Sequence, residues 1–390
     1  MPLNPRLQII SLDPLSATMF ASAVYPCVIE FICVENVPYT GPISVQSGGS
    51  ELGSDSTVEG HMNINSSTGT HLINNSTLNP SIRNEGKDDR EDLEILESEG
   101  EGTWVVDEFD DVIKIKDKPE INLTKRKIVR VKLMFKSGDD LRQDQLVMQM
   151  MKLMDSLLRK VNLNLKLLTY GILAAGQTNG IMEFVSEASA ISAILKEHKS
   201  LSKFLRIHNP DTYGPYGTTT EAIDTFVKSC AASCVVSYLL GVGDRHLDNI
   251  MMKTNGQIFH IDYGYSFFQD PKPVQPPPFR FTHHMLDAMG GEESEYYEKF
   301  KSYCCQAFNW LRKSANLILN LLSLMGDAGI TDISKRSDLP KVLAKVEERF
   351  RLDLSDESAE SYFVGLITES LNAIAPRLLE YAHQIAVSVR

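Results

Sequence analysis

The stretch GVGDRHLDNIMMKTNGQIFHIDYG, residues 241–264, decides the fold. Asn255-Gly256 separates two apolar runs within it, and Asn-Gly is the strongest short signal for a β-hairpin. A hairpin there returns the chain on itself, so that Asn249 and Asp262 would meet at its open end. Charged groups beside apolar strands are costly to bury unless they are paired or bound to a metal. The stretch therefore predicts a polar site built on a hairpin.

The spacing of the polar residues in this stretch points to chemistry. Asp244 precedes Asn249 by five residues, and Asp262 follows Asn249 by thirteen. The first interval is similar to that of the protein-kinase catalytic loop, H-R-D-x-x-x-x-N, after which a metal-binding Asp before Gly also follows. The oxygens of Asn249 and Asp262 suit Mg²⁺, which prefers hard oxygen ligands. Asp244 and His246 are candidates to activate an acceptor hydroxyl, because a neutral imidazole can accept a proton. The alternative is a salt-bridged polar turn that caps the hairpin.

The apolar pattern predicts a small β-rich part followed by a larger helical part. Helices dominate after about residue 187, apart from the hairpin. We expect an α+β fold of the bilobal protein-kinase type, with an N-lobe at 1–46 and 104–185 and a mostly helical C-lobe at 186–390. The predicted strands are 7–10, 28–34, 129–135, 166–175 and 181–185, and the predicted helix at 140–161 has an apolar face of Leu146, Met150, Leu153, Met154, Leu157 and Leu158.

An acidic segment interrupts the predicted N-lobe. Residues 47–103 are rich in Gly, Ser, Asn and Thr and then in Glu and Asp, a composition that cannot bury enough apolar surface to order itself. Residues 51–111 hold sixteen Asp or Glu and three Lys or Arg, a local charge of −13 within a total of −12. The rest of the chain is therefore close to neutral. We interpret 47–103 as a disordered insert that acts as a spacer.

Several classes of protein are excluded by composition. The six cysteines include the adjacent pair Cys304-Cys305 and show no zinc-like CxxC spacing, so neither a disulfide framework nor a zinc site is expected. Cys230 and Cys234 stand at helical spacing among apolar residues, which predicts buried free thiols. There is no secretory signal pattern and no apolar run long enough to cross a bilayer. We expect a reduced, cytoplasmic protein without a transmembrane segment or a nucleic-acid partner.

A cation is predicted near the polar site. Lys136 follows the predicted strand 129–135 and stands directly before the acidic helix start GDDLRQD, residues 138–144. A lysine that ends an inward-facing strand can meet a phosphate, while Asp144 on the next helix holds its ammonium in place. The alternative is an ordinary solvated surface charge.

Together these strings resemble the phosphatidylinositol 3-kinase superfamily, whose catalytic loop reads D-R-H-x-x-N. The resemblance extends to the class III enzymes of vacuolar and endosomal sorting, and it covers residues 1–45 and about 128–390. The strings that carry it are GDDLRQDQL at 138–146, HNPDTYGPYG at 208–217, GVGDRHLDN at 241–249, DPKPVQPPP at 270–278 and FRLDLSD at 350–356.

The resemblance implies an enzyme that transfers the ATP γ-phosphate to the 3-hydroxyl of phosphatidylinositol, with Mg²⁺ or Mn²⁺. Asn249 and Asp262 would bind the metal, and His246 with Asp244 would activate the inositol hydroxyl. The other implied residues are Lys136 and Ser22 at the ATP phosphates, Asp144 and Tyr170 in the inner nucleotide pocket, and the backbone of Glu183 and Val185 at adenine.

The predicted activation segment, 262 to about 283, bears on the lipid headgroup. It holds only Lys272 and Arg280 as cations, with Asp270 opposing them, which favours unmodified phosphatidylinositol over a more phosphorylated headgroup. Phe267 and Phe268 would either dip into the membrane interface or be buried against the lobe.

Three positions depart from the class pattern. Ala21 replaces the usual phosphate-loop lysine, Gln269 replaces an arginine, and the tail ends at 388–390 in Ser-Val-Arg rather than Tyr-Trp-Arg. An apolar stripe still predicts a C-terminal amphipathic helix, either core or membrane-facing. Its members are Leu371, Ile374, Leu378, Leu379, Ala382, Ile385, Ala386 and Val389.

The resemblance also implies a cellular setting. We expect a peripheral protein of endosomal or autophagic membranes, with a pseudokinase-like regulatory subunit and coiled-coil adaptors as partners. The N-terminal β-sandwich and helical solenoid of the class are not expected within residues 1–390. A phosphatidylinositol 4-kinase, a related protein Ser/Thr kinase and a catalytically silent regulator remain alternatives.

Deletion of residues 50–103 tests the interpretation of the insert. Because a spacer adds no core, we expect the shortened chain to stay soluble and to retain most of any ATP-dependent lipid phosphorylation. Loss of soluble protein on gel filtration would contradict the prediction and assign the insert a structural role.

Overall fold

The computed structural model describes residues 3–4, 7–19, 26–35, 127–271, 277–326, 328–330 and 339–373. The predicted insert at 47–103, the loop that holds Ser22, Lys272, and the predicted C-terminal helix beyond residue 373 lie outside the described residues.

A five-stranded antiparallel sheet forms the N-lobe. Its strand order is β1-β2-β3-β5-β4, so β3 lies at the centre and β1 and β4 lie at the edges. The predicted strands in the regions 7–10, 28–34 and 129–135 are confirmed, and each is longer than its apolar run. The strands are β1 at Leu7–Met19, β2 at Cys27–Glu35, β3 at Lys127–Ser137, β4 at Ile172–Ala174 and β5 at Asn179–Glu183.

One predicted strand is mostly wrong. The run 166–175 is extended only at its end, as β4. Asn162 and Lys166 have positive φ values of 60° and 52°, a left-handed conformation that breaks an extended run. Leu165 between them is fully buried in the core. The segment therefore serves as a packed connection between a helix and the sheet.

The first helix, α1 at Arg142–Lys160, packs beside β4 and presents its apolar face to the core. The predicted face at Leu146, Met150, Met154 and Leu158 is buried. The helix begins two residues after the predicted start, and its first turn contains Gln143 and Asp144, which are both buried polar residues. A buried polar side chain needs a hydrogen-bond partner, so this first turn must face something specific.

The C-lobe is built around one buried helix. Its strands β6, β7 and β8 form a second, three-stranded antiparallel sheet. Its elements are β6 at Ala188–Ala190, α2 at Ile191–His198, α3 at Leu201–His208, α4 at Thr220–Leu240, β7 at Ile250–Lys253, β8 at Ile258–His260, α5 at His283–Ala288, α6 at Glu295–Arg312, α7 at Ala315–Leu324, α8 at Leu339–Phe350 and α9 at Asp356–Asn372. These two parts confirm the bilobal α+β fold.

Helix α4 is the centre of the C-lobe. It packs against α6 and β8, and nearly every residue from Ala222 to Leu240 is buried. Among the described residues it alone is long and apolar enough to cross a membrane, but 89% of its apolar window is buried inside the protein, as in a core helix. Cys230 and Cys234 on this helix are buried free thiols, as predicted. Burial raises the pKa of the Cys234 thiol well above its ordinary value.

The connection between α8 and α9 depends on one buried guanidinium. Arg312, at the end of α6, is 8% exposed. Its Nε donates to the Phe350 carbonyl at 2.9 Å, and one Nη donates to the Arg351 carbonyl at 3.0 Å. Its other Nη donates to Asp356 at 3.1 Å, at the first residue of α9. The end of α8 and the start of α9 are thus held by one side chain.

The substitution Arg312→Ala tests this role. We expect a loss of about 3 kcal/mol in the free energy of unfolding, because several buried carbonyls and a carboxylate lose their donors. Lys313→Ala is the control, since Lys313 also pairs with Asp356 but its side chain is 52% exposed. Its loss should stay below about 0.5 kcal/mol. Equal shifts of the two denaturation midpoints would contradict the assignment.

Candidate active site

The hairpin brings its two polar ends together, as predicted. Strands β7 and β8 pair antiparallel with Ile250 opposite His260. The Ile261 N–H then donates to the Asn249 carbonyl at 3.1 Å, which places Asp262 one residue beyond this bond. Asn249 is buried and its Nδ2 donates to the Asp244 carbonyl at 3.1 Å. This bond fixes the orientation of the amide, with its oxygen turned away from Asp244.

The loop between α4 and β7 holds the two predicted catalytic side chains. His246 Nε2 lies 3.8 Å from an Asp244 carboxylate oxygen, and its Nδ1 lies 3.6 Å from a carboxylate oxygen of Asp248. The imidazole therefore sits between two carboxylates. Asp248 is itself held by a short hydrogen bond from the Ser192 hydroxyl, at the start of α2. The loop therefore places the carboxylates of Asp244 and Asp248 on either side of the His246 ring.

Asp270 anchors this loop to the activation segment. The Asp244 N–H donates to an Asp270 carboxylate oxygen at 3.0 Å. Asp244 has a positive φ of 50°, a conformation that a non-glycine residue adopts rarely and that such a bond can hold. Asp270 therefore supports the catalytic loop, a role that its predicted opposition to Lys272 and Arg280 did not include.

Arg245 ties the catalytic loop to the end of the hairpin. Its Nε donates to the Gly243 carbonyl at 2.7 Å, and one Nη donates to the Ile261 carbonyl at 2.8 Å. The other Nη makes a short bond to the Asp262 carbonyl. The guanidinium also lies over the Tyr263 ring, 5.5 Å from its centroid. Sequence reasoning named the D-R-H string but assigned no role to its arginine.

Buried groups surround this cluster on the core side. His260 is 6% exposed, and its Nδ1 lies 3.1 Å from the Ser237 hydroxyl. Burial, with the nearby Arg245 charge, lowers the pKa of His260 to about 3, so its ring is neutral at cellular pH. The hydroxyls of Tyr170 and Tyr263 both donate to the His260 carbonyl, at 3.4 Å and 3.1 Å. Tyr170 is thus buried, and its position in an inner nucleotide pocket stays a prediction.

The first turn of α1 reaches the segment after β8. The Tyr263 N–H donates to an Asp144 carboxylate oxygen at 3.0 Å. The Gln143 Nε2 donates to the Tyr263 carbonyl at 2.8 Å and to the Gly264 carbonyl at 3.0 Å. Burial raises the pKa of Asp144 to about 6, against the opposing effects of the Tyr263 N–H and of Lys136. Gln143 was not predicted as a site residue, because its partners lie 120 residues away in the sequence.

The predicted partner of Lys136 is wrong. The Lys136 Nζ pairs with an Asp139 carboxylate oxygen at 2.9 Å, whereas Asp144 turns inward to the Tyr263 N–H. The Tyr263 N–H, which is in direct contact with the Asp144 carboxylate, lowers its pKa more than the Lys136 ammonium does. Lys136 itself lies at the end of β3, opposite Gly180 on β5, and it is only partly buried.

The strand β5 ends at the predicted hinge. The Glu183 N–H donates to the Gly171 carbonyl at 2.8 Å, and the Phe184 N–H donates to the Lys132 carbonyl at 2.9 Å. In a regular ladder the Gly171 N–H would bond the Glu183 carbonyl, but it donates instead to the Glu183 carboxylate at 2.9 Å. The chain then leaves the sheet before Val185. Recognition of adenine by the backbone of Glu183 and Val185 stays a prediction.

The residues predicted to contact the lipid or the membrane are largely buried, apart from Lys272, which lies outside the described residues. Arg280 is 7% exposed, which buries the guanidinium that was expected at the lipid headgroup. Phe267 is fully buried, and Phe268 is half-buried beneath Lys345 and Arg349 of α8. Burial against the lobe, rather than insertion into a membrane, therefore describes this pair.

A family model described as phosphatidylinositol 3- and 4-kinase matches residues 130–335, just over half of the chain. The match contains α1, the hinge, the catalytic loop and the segment after β8. The chain belongs to the phosphatidylinositol 3- and 4-kinase family. Its resemblance to the class III enzymes is confirmed by relatives that are 45% to 50% identical over the catalytic region.

Three relatives illustrate the similarity. The root isoform of phosphatidylinositol 3-kinase from Glycine max is 50% identical over 255 residues, which is 65% of this chain and 31% of that protein. Phosphatidylinositol 3-kinase VPS34 is 49% identical over the same shares in Arabidopsis thaliana. In Saccharomyces cerevisiae it is 45% identical, over 65% of this chain and 29% of that protein. The chain thus spans about a third of the length of the curated relatives it matches.

Asn249 and Asp262 are suitable ligands for a divalent metal. Asn249 and Asp262 supply an amide and a carboxylate oxygen on the two sides of one backbone hydrogen bond. Mg²⁺ commonly uses one or two such protein ligands and completes its shell with water and phosphate oxygens. Within the described ranges no group of three or more His, Cys, Asp or Glu residues could hold a metal by itself.

Gly243 permits close contact between the catalytic loop and the activation segment. Its N–H donates to the Tyr265 carbonyl at 3.0 Å, and a Cβ on it would overlap the Gln269 carbonyl oxygen. The Phe268 N–H adds a bond to the Gly241 carbonyl at 2.8 Å. The start of the activation segment therefore lies directly on the catalytic loop.

The substitution Gly243→Ala tests this contact. We expect it to lower the free energy of unfolding by about 1–3 kcal/mol and to speed amide hydrogen exchange at 265–271, because the added methyl group forces the two backbones apart. Gly365→Ala is the control, since a Cβ there meets nothing within 4 Å. Within α9 it should raise stability by up to about 1 kcal/mol. Unchanged exchange at 265–271 in Gly243→Ala would contradict the prediction.

Proposed function

We propose that this chain is the catalytic part of a lipid kinase that transfers the ATP γ-phosphate to the 3-hydroxyl of phosphatidylinositol. The observation that carries the proposal is the open end of the β7–β8 hairpin. There Asp262 directly follows the residue bonded to Asn249, and the Asn249 amide donates to the carbonyl of Asp244, whose carboxylate lies 3.8 Å from His246. The names of the relatives support the lipid acceptor and the 3-position, because each is called a phosphatidylinositol 3-kinase.

ATP would lie in the cleft between the lobes. Glu183 and Val185 would hold adenine through their backbone, and Tyr170 and Asp144 would form the inner wall of the pocket. Lys136 at the end of β3 would meet the phosphates, where its pairing with Asp139 keeps the ammonium at the cleft. Ser22 would add contacts from the phosphate loop.

Asn249 and Asp262 would hold Mg²⁺ or Mn²⁺, which draws charge from the phosphate oxygens when it is bound. His246 would accept the proton of the attacking hydroxyl at Nε2. The Asp244 carboxylate, 3.8 Å from that nitrogen, would stabilise the imidazolium as it forms. Asp248, 3.6 Å from Nδ1, would keep the ring in this orientation.

The acceptor would be unphosphorylated phosphatidylinositol. The activation segment contains Lys272 and Arg280 as its cations, and the burial of Arg280 leaves still less exposed positive charge for additional headgroup phosphates. Lys272 stays a proposed headgroup contact, whereas the burial of Arg280 removes it from that role. Because the chain spans about a third of its relatives, membrane attachment would also involve regions outside it.

The proposed setting follows the relatives. We infer a peripheral enzyme at endosomal or autophagic membranes that acts in vesicle trafficking. A pseudokinase-like regulatory subunit and coiled-coil adaptors would be its partners. These inferences rest on the class III resemblance and on the VPS34 relatives.

The test is an assay of the purified chain with Mg·ATP and phosphatidylinositol vesicles, followed by chromatography of the deacylated product. We expect a 3-phosphate product. Asp262→Asn should lower its rate by on the order of 100- to 1,000-fold or more, because a ligand for the metal is lost at the transition state. Asp353→Asn is the control, since that carboxylate lies in an exposed ion pair with Arg351. It should leave the rate unchanged.

The other outcomes distinguish the alternatives. A 4-phosphate product would contradict the 3-position, which the family description leaves open because it covers both activities. Phosphorylated protein without lipid product would identify a protein kinase. A chain that is folded and inactive toward both acceptors, with no difference from Asp262→Asn, would identify a silent regulator.

A further inference from the structure

Four consecutive carbonyls after β8 are held by two side chains. Arg245 donates to the carbonyls of Ile261 and Asp262. Gln143 donates to the carbonyls of Tyr263 and Gly264, at 2.8 Å and 3.0 Å. The two side chains come from different elements, since Arg245 belongs to the catalytic loop and Gln143 to the first turn of α1, a helix that packs both beside β4 and against α6.

The Gln143 side chain is buried and makes both of these hydrogen bonds. Its side chain is 5% exposed, so its amide depends on these two carbonyls as hydrogen-bond partners. Without Gln143 the Gly264 carbonyl would lose this donor, while the Tyr263 carbonyl would keep the bond from the Ser266 hydroxyl at 3.1 Å. The neighbouring Asp144 adds the bond from the Tyr263 N–H. The main chain of Tyr263 is therefore held at its N–H by Asp144 and at its carbonyl by the preceding residue of α1, Gln143.

Asp262 needs such support from its neighbours. It is exposed and has a positive φ of 61°, a conformation that a non-glycine residue adopts only when its surroundings hold it. Its own carboxylate accepts the Gly264 N–H at 3.2 Å, so the position of Gly264 also sets the position of that carboxylate. Gln143 fixes Gly264 through its carbonyl. A path of three hydrogen-bonded groups thus runs from α1 to the Asp262 carboxylate.

We propose that Gln143 is a positioning residue that couples helix α1 to the metal-binding carboxylate of Asp262. The inference rests on the proposed function, because it assigns Asp262 to the metal. Arg245 holds the segment from within the C-lobe and does not depend on how the lobes lie. Gln143 holds it from α1, so the affinity of the metal site depends on the placement of that helix. A displacement of α1 that broke the Gln143 bonds would therefore weaken metal binding.

Two variants separate the donated hydrogen bonds from simple packing. Gln143→Ala removes the amide. Gln143→Glu keeps the side-chain length but places a carboxylate oxygen against two carbonyl oxygens. Gln257→Ala is the matched control, because the Gln257 amide also donates to a backbone carbonyl, that of Lys166, at 2.7 Å, and it lies at the turn end of the same hairpin.

The first measurement is the metal dependence of lipid phosphorylation. For Gln143→Ala we expect a roughly 10-fold rise in the Mg²⁺ concentration for half-maximal rate, in line with the loss of two buried hydrogen bonds. The KM for ATP at saturating Mg²⁺ should change by less than about 2-fold. Gln143→Glu should be affected more than Gln143→Ala, and Gln257→Ala should match the parent chain.

Two further measurements do not depend on turnover. Binding of Mn²⁺ in the presence of a non-hydrolysable ATP analogue, followed by electron paramagnetic resonance, should weaken by a similar factor in both Gln143 variants. Amide hydrogen exchange at 262–266 should rise in these variants without metal or nucleotide, while exchange in α4 should stay unchanged. Faster exchange throughout α4 would indicate general destabilisation and overturn the assigned role.

The outcomes distinguish the positioning role of Gln143 from the proposed function of the chain. If the parent chain phosphorylates lipid and Gln143→Ala shows unchanged metal dependence, Mn²⁺ affinity and exchange, the positioning role is wrong and the proposed function stands. A parent chain without kinase activity and without metal-dependent nucleotide binding would contradict the proposed function itself. Equal effects of Gln143→Ala and Gln257→Ala on Mn²⁺ affinity would also overturn the inference.

Discussion

The half-buried guanidinium of Arg245 makes the hydrogen bonds on which the site depends. The guanidinium stacks on the Tyr263 ring, where its N–H groups need hydrogen-bond acceptors. Those acceptors are backbone carbonyls from both ends of the hairpin. The hairpin alone brings Asn249 and Asp262 near each other. Arg245 fixes the distance between the catalytic loop and the segment after β8, because it is bonded to both.

The cluster of functional side chains is supported mostly by backbone contacts with other elements. Asp270 holds the Asp244 N–H, Asp144 holds the Tyr263 N–H, and the Ser192 hydroxyl holds Asp248. Each of these polar side chains therefore orders a neighbour instead of facing solvent. This arrangement accounts for the several rare left-handed conformations near the site, which would otherwise relax toward ordinary geometry.

The sequence was most informative where a signal was local. Asn255-Gly256 predicted the hairpin, and the apolar spacing in 140–161 predicted α1 and its buried face. Strand β6 was missed, because Ala-Ser-Ala has little intrinsic preference for a strand and gains it by pairing with β7. Of the expected strand over 166–175 only β4 forms, and the left-handed conformation of Lys166 at its start was revealed by no local pattern.

The sequence predicted which residues belong to the site better than it predicted which of them contact one another. Three carboxylates follow Lys136 within eight residues, and the spacing alone could not decide which would take the ammonium. Burial decided it, since Asp144 faces a backbone donor 119 residues away and Asp139 remains at the cleft. Gln143 was overlooked for the same reason. Contacts between distant segments depend on how two lobes pack, which one sequence does not encode locally.

The distribution of thiols has a practical consequence for covalent chemistry. Cys33, Cys230, Cys234, Cys304 and Cys305 are buried, and burial raises the thiol pKa of Cys304 well above its ordinary value and that of Cys305 to about 11. The thiolate is the reactive form, so these groups resist alkylation in the folded chain. Cys27 is half-buried on β2, paired with Phe135, the residue before Lys136. A small maleimide dye would therefore label the sheet next to the cleft and leave the helical core unmodified, giving an optical reporter without any engineered cysteine.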